Sequence, residues 1–251
     1  MGTRTSYAPG TPCWVDLGSP DTAAAARFYE GMFGWSADFD LGPDAGGYGM
    51  FVLRGERVAG IGPQANPEMP PFWSVYFSVA DIDATAARVT GAGGQVIAGP
   101  MDVRSAGRLA VFADPNGSFV SAWEAGDNPG CGLVNDPGCF VWNELASPDL
   151  DATAAFYRDA FGVGVDRPDE GVIFTVDGEP VCGAHRGGEG EPHQWSIWFT
   201  VEDCEAGARL AEELGGSVIM PPTPMDFGVG ALVSDPQGAV FGIGSVDDRR
   251  D

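Results

Sequence analysis

At about 150 residues per domain, a chain of 251 residues makes two small domains or one large one; with 44% apolar and 20% charged residues it is globular rather than disordered or fibrous. Its 13 basic residues are all arginine, and against 36 carboxylates they leave a net charge of −23. That field repels phosphate backbones and anionic lipid surfaces, and the missing lysine removes Schiff-base chemistry and lysine-bearing phosphate loops.

In chain order, residues 13–18 alternate as a strand, Ser19-Pro20-Asp21 offers a helix cap, and Ala24 to Phe33 carries its apolar residues at helical spacing before Gly34 stops it. Short strands follow after Trp35, at Tyr48 to Leu53 and at Val58 to Gly62, the last two joined as a hairpin through Arg54-Gly55-Glu56-Arg57. The pattern then restarts. Strand Ser74 to Val79 leads into a helix from Asp81 to about Ala92, stopped by Gly93-Gly94; strands from Gln95, over Leu109 to Ala113 and over Ser118 to Glu124 complete it, the last after the turn Asp114-Pro115-Asn116-Gly117. No apolar stretch reaches the roughly 20 residues that a bilayer needs, and the first residues lack a signal-peptide core. The expectation is a cytoplasmic protein with neither membrane nor nucleic acid as partner.

The chain repeats itself. Residues 14–34 laid over 142–162 agree at 11 of 21 positions, WSVYFSVAD at 73–81 lies over WSIWFTVED at 195–203, and DPNG at 114–117 lies over DPQG at 235–238. Two homologous halves follow, 1–124 and 139–251, each βαβββ twice. Between them the Gly/Pro/Asp-rich stretch 125–138 reads as an exposed connector. Asp247 to Asp251 reads as a charged tail, and Arg104 and Arg108 read as solvated charge ahead of a loop at a site mouth.

The strand, Ser-Pro-Asp cap and "FY….FG" helix, the "FxVxD" strand opening a helix that ends in Gly-Gly, and the "DPxG" turn together resemble the vicinal oxygen chelate superfamily of glyoxalases, bleomycin-resistance proteins and extradiol dioxygenases. The openings PCWVDL and VWNEL are similar to those of actinobacterial tandem glyoxalase-like proteins that carry a hydroxylase label. The resemblance implies an α+β fold: tandem glyoxalase-like domains whose four βαβββ modules curl mixed sheets into cups, with helices on the outer face. It also implies metal ligands on the first and last strands of the modules. At those positions stand Trp14, Ser74 and Ser121 in the first half and Trp142, Ser196 and Gly242 in the second, whereas Zn²⁺, Fe²⁺ and Mn²⁺ need several imidazole, thiolate or carboxylate ligands. The expectation is therefore no metal and no cofactor.

Strand parity says what replaces the metal. Val15 and Leu17 share the helix-facing side of their strand, leaving Trp14 and Asp16 on the cup side, and the second half keeps the rule with Trp142 and Glu144. The same parity turns Ser74, Tyr76, Ser121 and Trp123 into the first cup, and Ser196, Trp198 and Gly242 into the second. Because Gly242 and Gly244 replace Ser121 and Trp123, the second cup is expected to have open volume. Such cups suit a flat aromatic or polyketide-like small molecule, bound by stacking faces and a few hydroxyls, with Asp16 and Glu144 as candidate acid–base groups. The alternative role for these carboxylates is to cap a loop or accept an indole N–H. The functional expectation is a metal-independent binder or cofactor-free tailoring enzyme of secondary metabolism, in biosynthesis or resistance; the alternative is a metal-dependent lyase, isomerase or dioxygenase.

His185 and His193 read as surface or loop-anchoring residues ahead of ligand contacts, and the five cysteines read as reduced structural thiols. The purified protein should contain no stoichiometric transition metal. Elemental analysis checks this, and close to one Zn, Fe, Mn or Ni per chain, lost to a chelator together with an activity, overturns it.

Overall fold

The computed structural model describes residues 2–39, 41, 45–64, 66–168 and 171–246, the last without its side chain; Asp247 to Asp251 lie outside the described residues. The first half runs β1 (Pro12–Ser19), α1 (Thr22–Phe33), β2 (Ser36–Asp38), β3 (Gly49–Leu53), β4 (Glu56–Pro63), β5 (Phe72–Ser78), α2 (Ile82–Gly91), β6 (Gln95–Val103), β7 (Gly107–Ala113) and β8 (Phe119–Ala125). The second repeats it as β9 (Phe140–Ser147), α3 (Leu150–Phe161), β10 (Gly164–Asp166), β11 (Gly171–Val176), β12 (Glu179–Arg186), β13 (Trp195–Thr200), α4 (Cys204–Glu213), β14 (Ser217–Met225), β15 (Gly228–Ser234) and β16 (Val240–Val246). The caps act as their residue types dictate. Asp21 accepts from the Ala24 N–H at 2.9 Å, and Gly34 ends α1 with φ 71°, a left-handed conformation that glycine adopts without Cβ strain.

Each half forms its own eight-stranded mixed sheet, ordered β2-β3-β4-β1-β5-β8-β7-β6 and β10-β11-β12-β9-β13-β16-β15-β14. The modules therefore pair within halves: β1 runs antiparallel to β5, with Trp14 opposite Tyr76 and Asp16 opposite Ser74, and β9 runs antiparallel to β13 in the same register. Within a module the first and last strands are parallel, which places Gly60 beside Asp16 and Gly183 beside Glu144. Proline interrupts the outer strands β6 and β14, a device that blunts exposed sheet edges.

The helices lie on the face opposite the cups, and there the halves meet. Phe28, Tyr29 and Phe33 of α1 pack on Phe241 and Phe199 of the second sheet, while Tyr157 and Phe161 of α3 pack on Phe77 of the first. At this seam the buried Tyr29 hydroxyl accepts the Trp73 indole N–H at 3.0 Å and donates to Asp235 of the other half at 3.4 Å. At the matching place Tyr157 accepts the Trp195 indole N–H at 2.9 Å and faces Asp114, whose buried Oδ2 has no hydrogen-bond partner. The two Asp residues begin the DPxG turns, and each also accepts two backbone N–H groups of its own turn. What the helices cover is thus one shared core rather than two separate ones.

The stretch 125–138 corrects the expectation of an exposed connector. Ala125 closes β8, and Asn128, Gly130, Cys131, Leu133, Val134 and Gly138 are buried. Backbone bonds explain the burial: Cys131 N–H bonds to Cys13 C=O at 2.8 Å and Gly132 N–H to Arg57 C=O at 2.7 Å, so the segment is knitted to the first sheet. All five cysteines are buried and free. Arg108 is paired with Asp83, Asp102 and Glu124, and Arg104 donates to Leu41 C=O.

Phe241→Ala empties ring contacts made to three residues of α1 and should cost about 3–5 kcal/mol. In urea unfolding followed by hydrogen exchange, α1 should lose protection together with β16. A first half that keeps its wild-type protection would show two independent cores.

Candidate functional site

The inner face of the first sheet is closed by its own side chains. Trp14 and Tyr76 are buried and Asp16 and Ser74 half-buried, as alternation along β1 and β5 places them. Tyr48, which sequence parity did not assign to this face, reaches over it. Its hydroxyl accepts the Trp14 indole N–H at 3.0 Å and donates to Asp16 Oδ2 at 3.1 Å, and Tyr76 donates to the same oxygen at 2.9 Å. Burial pushes the Asp16 carboxyl above its ordinary range, and the Tyr76, Tyr48 and Ser74 hydroxyls pull it back. Ser121 is buried beside Tyr76, and the Trp123 indole is spoken for by Asn128 C=O at 2.8 Å.

The inner face of the second sheet has the same plan with different occupants. Trp142, Glu144, Ser196 and Trp198 are half-buried, and Gly242 is buried. No tyrosine intervenes: the Trp142 indole N–H goes straight to Glu144 Oε2 at 2.7 Å, and the longer glutamate lays its carboxylate over Gly183, where a Cβ would strike it. The expected open volume over Gly242 and Gly244 is not there. The Trp198 indole lies on Gly242 and Gly230, Phe227 lies on Gly244, and the two rings meet edge to face at 6.0 Å. Glycine on β16 is thus the condition for a tilted indole rather than an empty seat, and the buried Trp198 Nε1 has no hydrogen-bond partner.

His185 is the residue that sequence reasoning undervalued. Its Nδ1 stands 3.6 Å from Glu144 Oε1 and its Nε2 3.1 Å from Glu191 Oε1. Glu144 first, and then Glu191, raise its pKa against the opposing effect of burial. The signal was in the strand: His185 follows Gly183 by two residues, so it shares the face that Glu144 occupies. It also borders an open depression of about 900 Å³, lined with Arg167, Pro168, Gly171, Arg186 and the start of α3. His193 is exposed, and its carbonyl anchors the Ser118 hydroxyl at 2.8 Å. Cys182 is fully buried with its thiol pKa pushed up, which does not suit a nucleophile.

Residues 13–121 match the family described as Glyoxalase/Bleomycin resistance protein/Dioxygenase superfamily, and residues 142–243 match the family described as Glyoxalase-like domain. Among curated proteins, the anthracycline biosynthesis protein DauV of Streptomyces sp. (strain C5) is 41% identical over 95% of this chain and 94% of its own. A Mycobacterium tuberculosis protein that carries the name glyoxylase CFP32 is 38% identical over 97% of each chain. Among solved structures, the Mn(II)-bound glyoxalase from Novosphingobium aromaticivorans superposes with TM-score 0.67 at 19% identity, covering 94% of this chain and 82% of that one. The side chains here do not fit a centre of that kind. The first inner face offers one carboxylate already holding two phenols, and the second offers Glu144 already holding an indole and facing His185. Among the described residues no group of three or more His, Cys, Asp or Glu is placed to hold an ion.

The raised pKa of His185 has a definite sign: the stabilisation that its imidazolium contributes is present below the unfolded-state value and is lost as pH rises through the folded-state value. Followed by NMR, the His185 ring should titrate above the ordinary value of about 6.5, and Glu144→Gln should lower its midpoint. A midpoint unmoved by that substitution would break the pairing.

Proposed function

We propose a cofactor-free role in secondary metabolism for this chain, which belongs to the Glyoxalase/Bleomycin resistance protein/Dioxygenase superfamily: its second inner face binds a flat, oxygenated aromatic molecule of polyketide type and moves a proton on it. The observation that carries the reading is the contrast between the two carboxylates. Asp16 is consumed by Tyr48 and Tyr76, whereas Glu144 gives one oxygen to the Trp142 indole and turns the other toward a half-exposed imidazole.

In this reading Trp142 and Trp198 supply aromatic surface for the ligand, and Ser196, opposite Glu144 across the strands, supplies a hydroxyl. Glu144 accepts the proton. His185 is a positioning residue whose ring, 3.6 Å from Glu144 Oε1, aims that carboxylate. The protein's strong negative charge favours a neutral or cationic ligand over an anionic one. The name of DauV, an anthracycline biosynthesis protein, supports a polycyclic aromatic ligand for a chain so similar along its whole length.

A probe with an acidic C–H on an aromatic ketone, 2-tetralone, allows binding and proton transfer to be read separately. Trp142→Ala should weaken its binding by about five- to 150-fold. Glu144→Gln should leave affinity nearly unchanged while hydrogen–deuterium exchange at the acidic carbon falls by about 10²- to 10⁴-fold. If wild type binds the probe without accelerating exchange, the protein is a binder; if Trp142→Ala binds as well as wild type, the site is misplaced.

A further inference from the structure

In the first cup, Tyr48 sits where a ligand would. Its ring lies on β4 at Gly60 and Gly62, the two bare positions that leave room for it, since a Cβ at either would strike the phenol. The hydroxyl is held on both sides, as acceptor from the Trp14 indole and as donor to Asp16. A glycine floor, an indole N–H and a half-buried carboxylate already fixed by Tyr76 make a complete recognition set for a phenol.

Three features separate this tyrosine from a structural plug. It lies outside the sheet, its own N–H bonded to Ala45 C=O in a turn, while Trp14, Asp16 and Tyr76 stand on paired strands. The residue is half-buried and not sealed in the core. The second half folds on the same plan without a phenol between its indole and its carboxylate, so the fold does not require one.

We propose that the first inner face is a phenol-binding site, occupied in the resting protein by Tyr48 as a tethered competitor, and entered by a polycyclic phenol that displaces it. A tethered group competes at an effective concentration of roughly millimolar or above. A single-ring phenol therefore loses to Tyr48, and a ligand with further rings to bury wins. The proposal does not depend on Glu144 and stands or falls apart from the reaction assigned to the second cup.

The test is calorimetric titration of 2-naphthol and its methyl ether, which has no proton to give Asp16. Tyr48→Gly should bind 2-naphthol about tenfold or more tightly than wild type, and the ether about tenfold or more weakly than the naphthol. Adding Asp16→Asn should erase that preference, and adding Trp142→Ala should change neither value. Tyr48→Phe keeps the ring and removes only the competing hydroxyl; it should tighten naphthol binding to a lesser degree and serves if the glycine variant does not fold. No gain in either Tyr48 variant, equal binding of naphthol and ether, or loss of binding on Trp142→Ala would each overturn the proposal.

Discussion

Two buried tyrosine hydroxyls hold the molecule's plan in place. Tyr29 links Trp73 of its own sheet to Asp235 of the other; Tyr157 accepts the Trp195 indole N–H and faces Asp114, whose buried Oδ2 has no hydrogen-bond partner. A buried indole N–H and a buried carboxylate are each costly without a partner, so Tyr29, which serves both, ties helix, sheet and opposite turn into one geometry. The rings around it then follow: Phe28, Phe33, Phe199 and Phe241 on one side, Phe77 and Phe161 on the other. Burial raises the pKa of Asp114 and Asp235, and hydrogen bonds from their own turns pull it back.

This arrangement explains which residues the sequence made visible. The Tyr of the FY helix, the Trp that opens the WS strand and the Asp of the DPxG turn repeat in both halves because both halves need them at the seam. The strongest motifs therefore mark assembly and not chemistry. The helices and strands were legible for ordinary reasons, since Asp21, Asp81, Asp149 and Asp203 all cap helices with their side chains and burial alternates from Val15 to Ser19 on β1 and from Trp142 to Leu145 on β9.

The candidate sites were legible only in part. Parity on paired strands located Trp14, Asp16, Trp142 and Glu144 correctly with respect to the sheet, because a strand has two faces and one was claimed by the core. Parity could not reveal Tyr48, which reaches the first cup from a turn, nor the tilt of Trp198 into the space left by Gly242, which depends on side-chain packing across three strands. The pairing of His185 with Glu144 needed the parallel register of β9 and β12, which fixes how far along its strand each residue lies. The segment 125–138 misled for a related reason: its glycines and prolines describe a chain without regular structure, and burial of such a chain is decided by the backbone bonds that it finds.

Since the two sheets meet through their helix-covered faces, their inner faces look away from each other. On the proposed reading, a molecule released from one cup reaches the other through solvent and is not passed directly between them. The same separation frees each cup to change its lining without disturbing its twin. A duplicated fold of this kind can hold one face shut with its own phenol while the other stays available, and the two can drift toward different molecules at no cost to the seam that joins them.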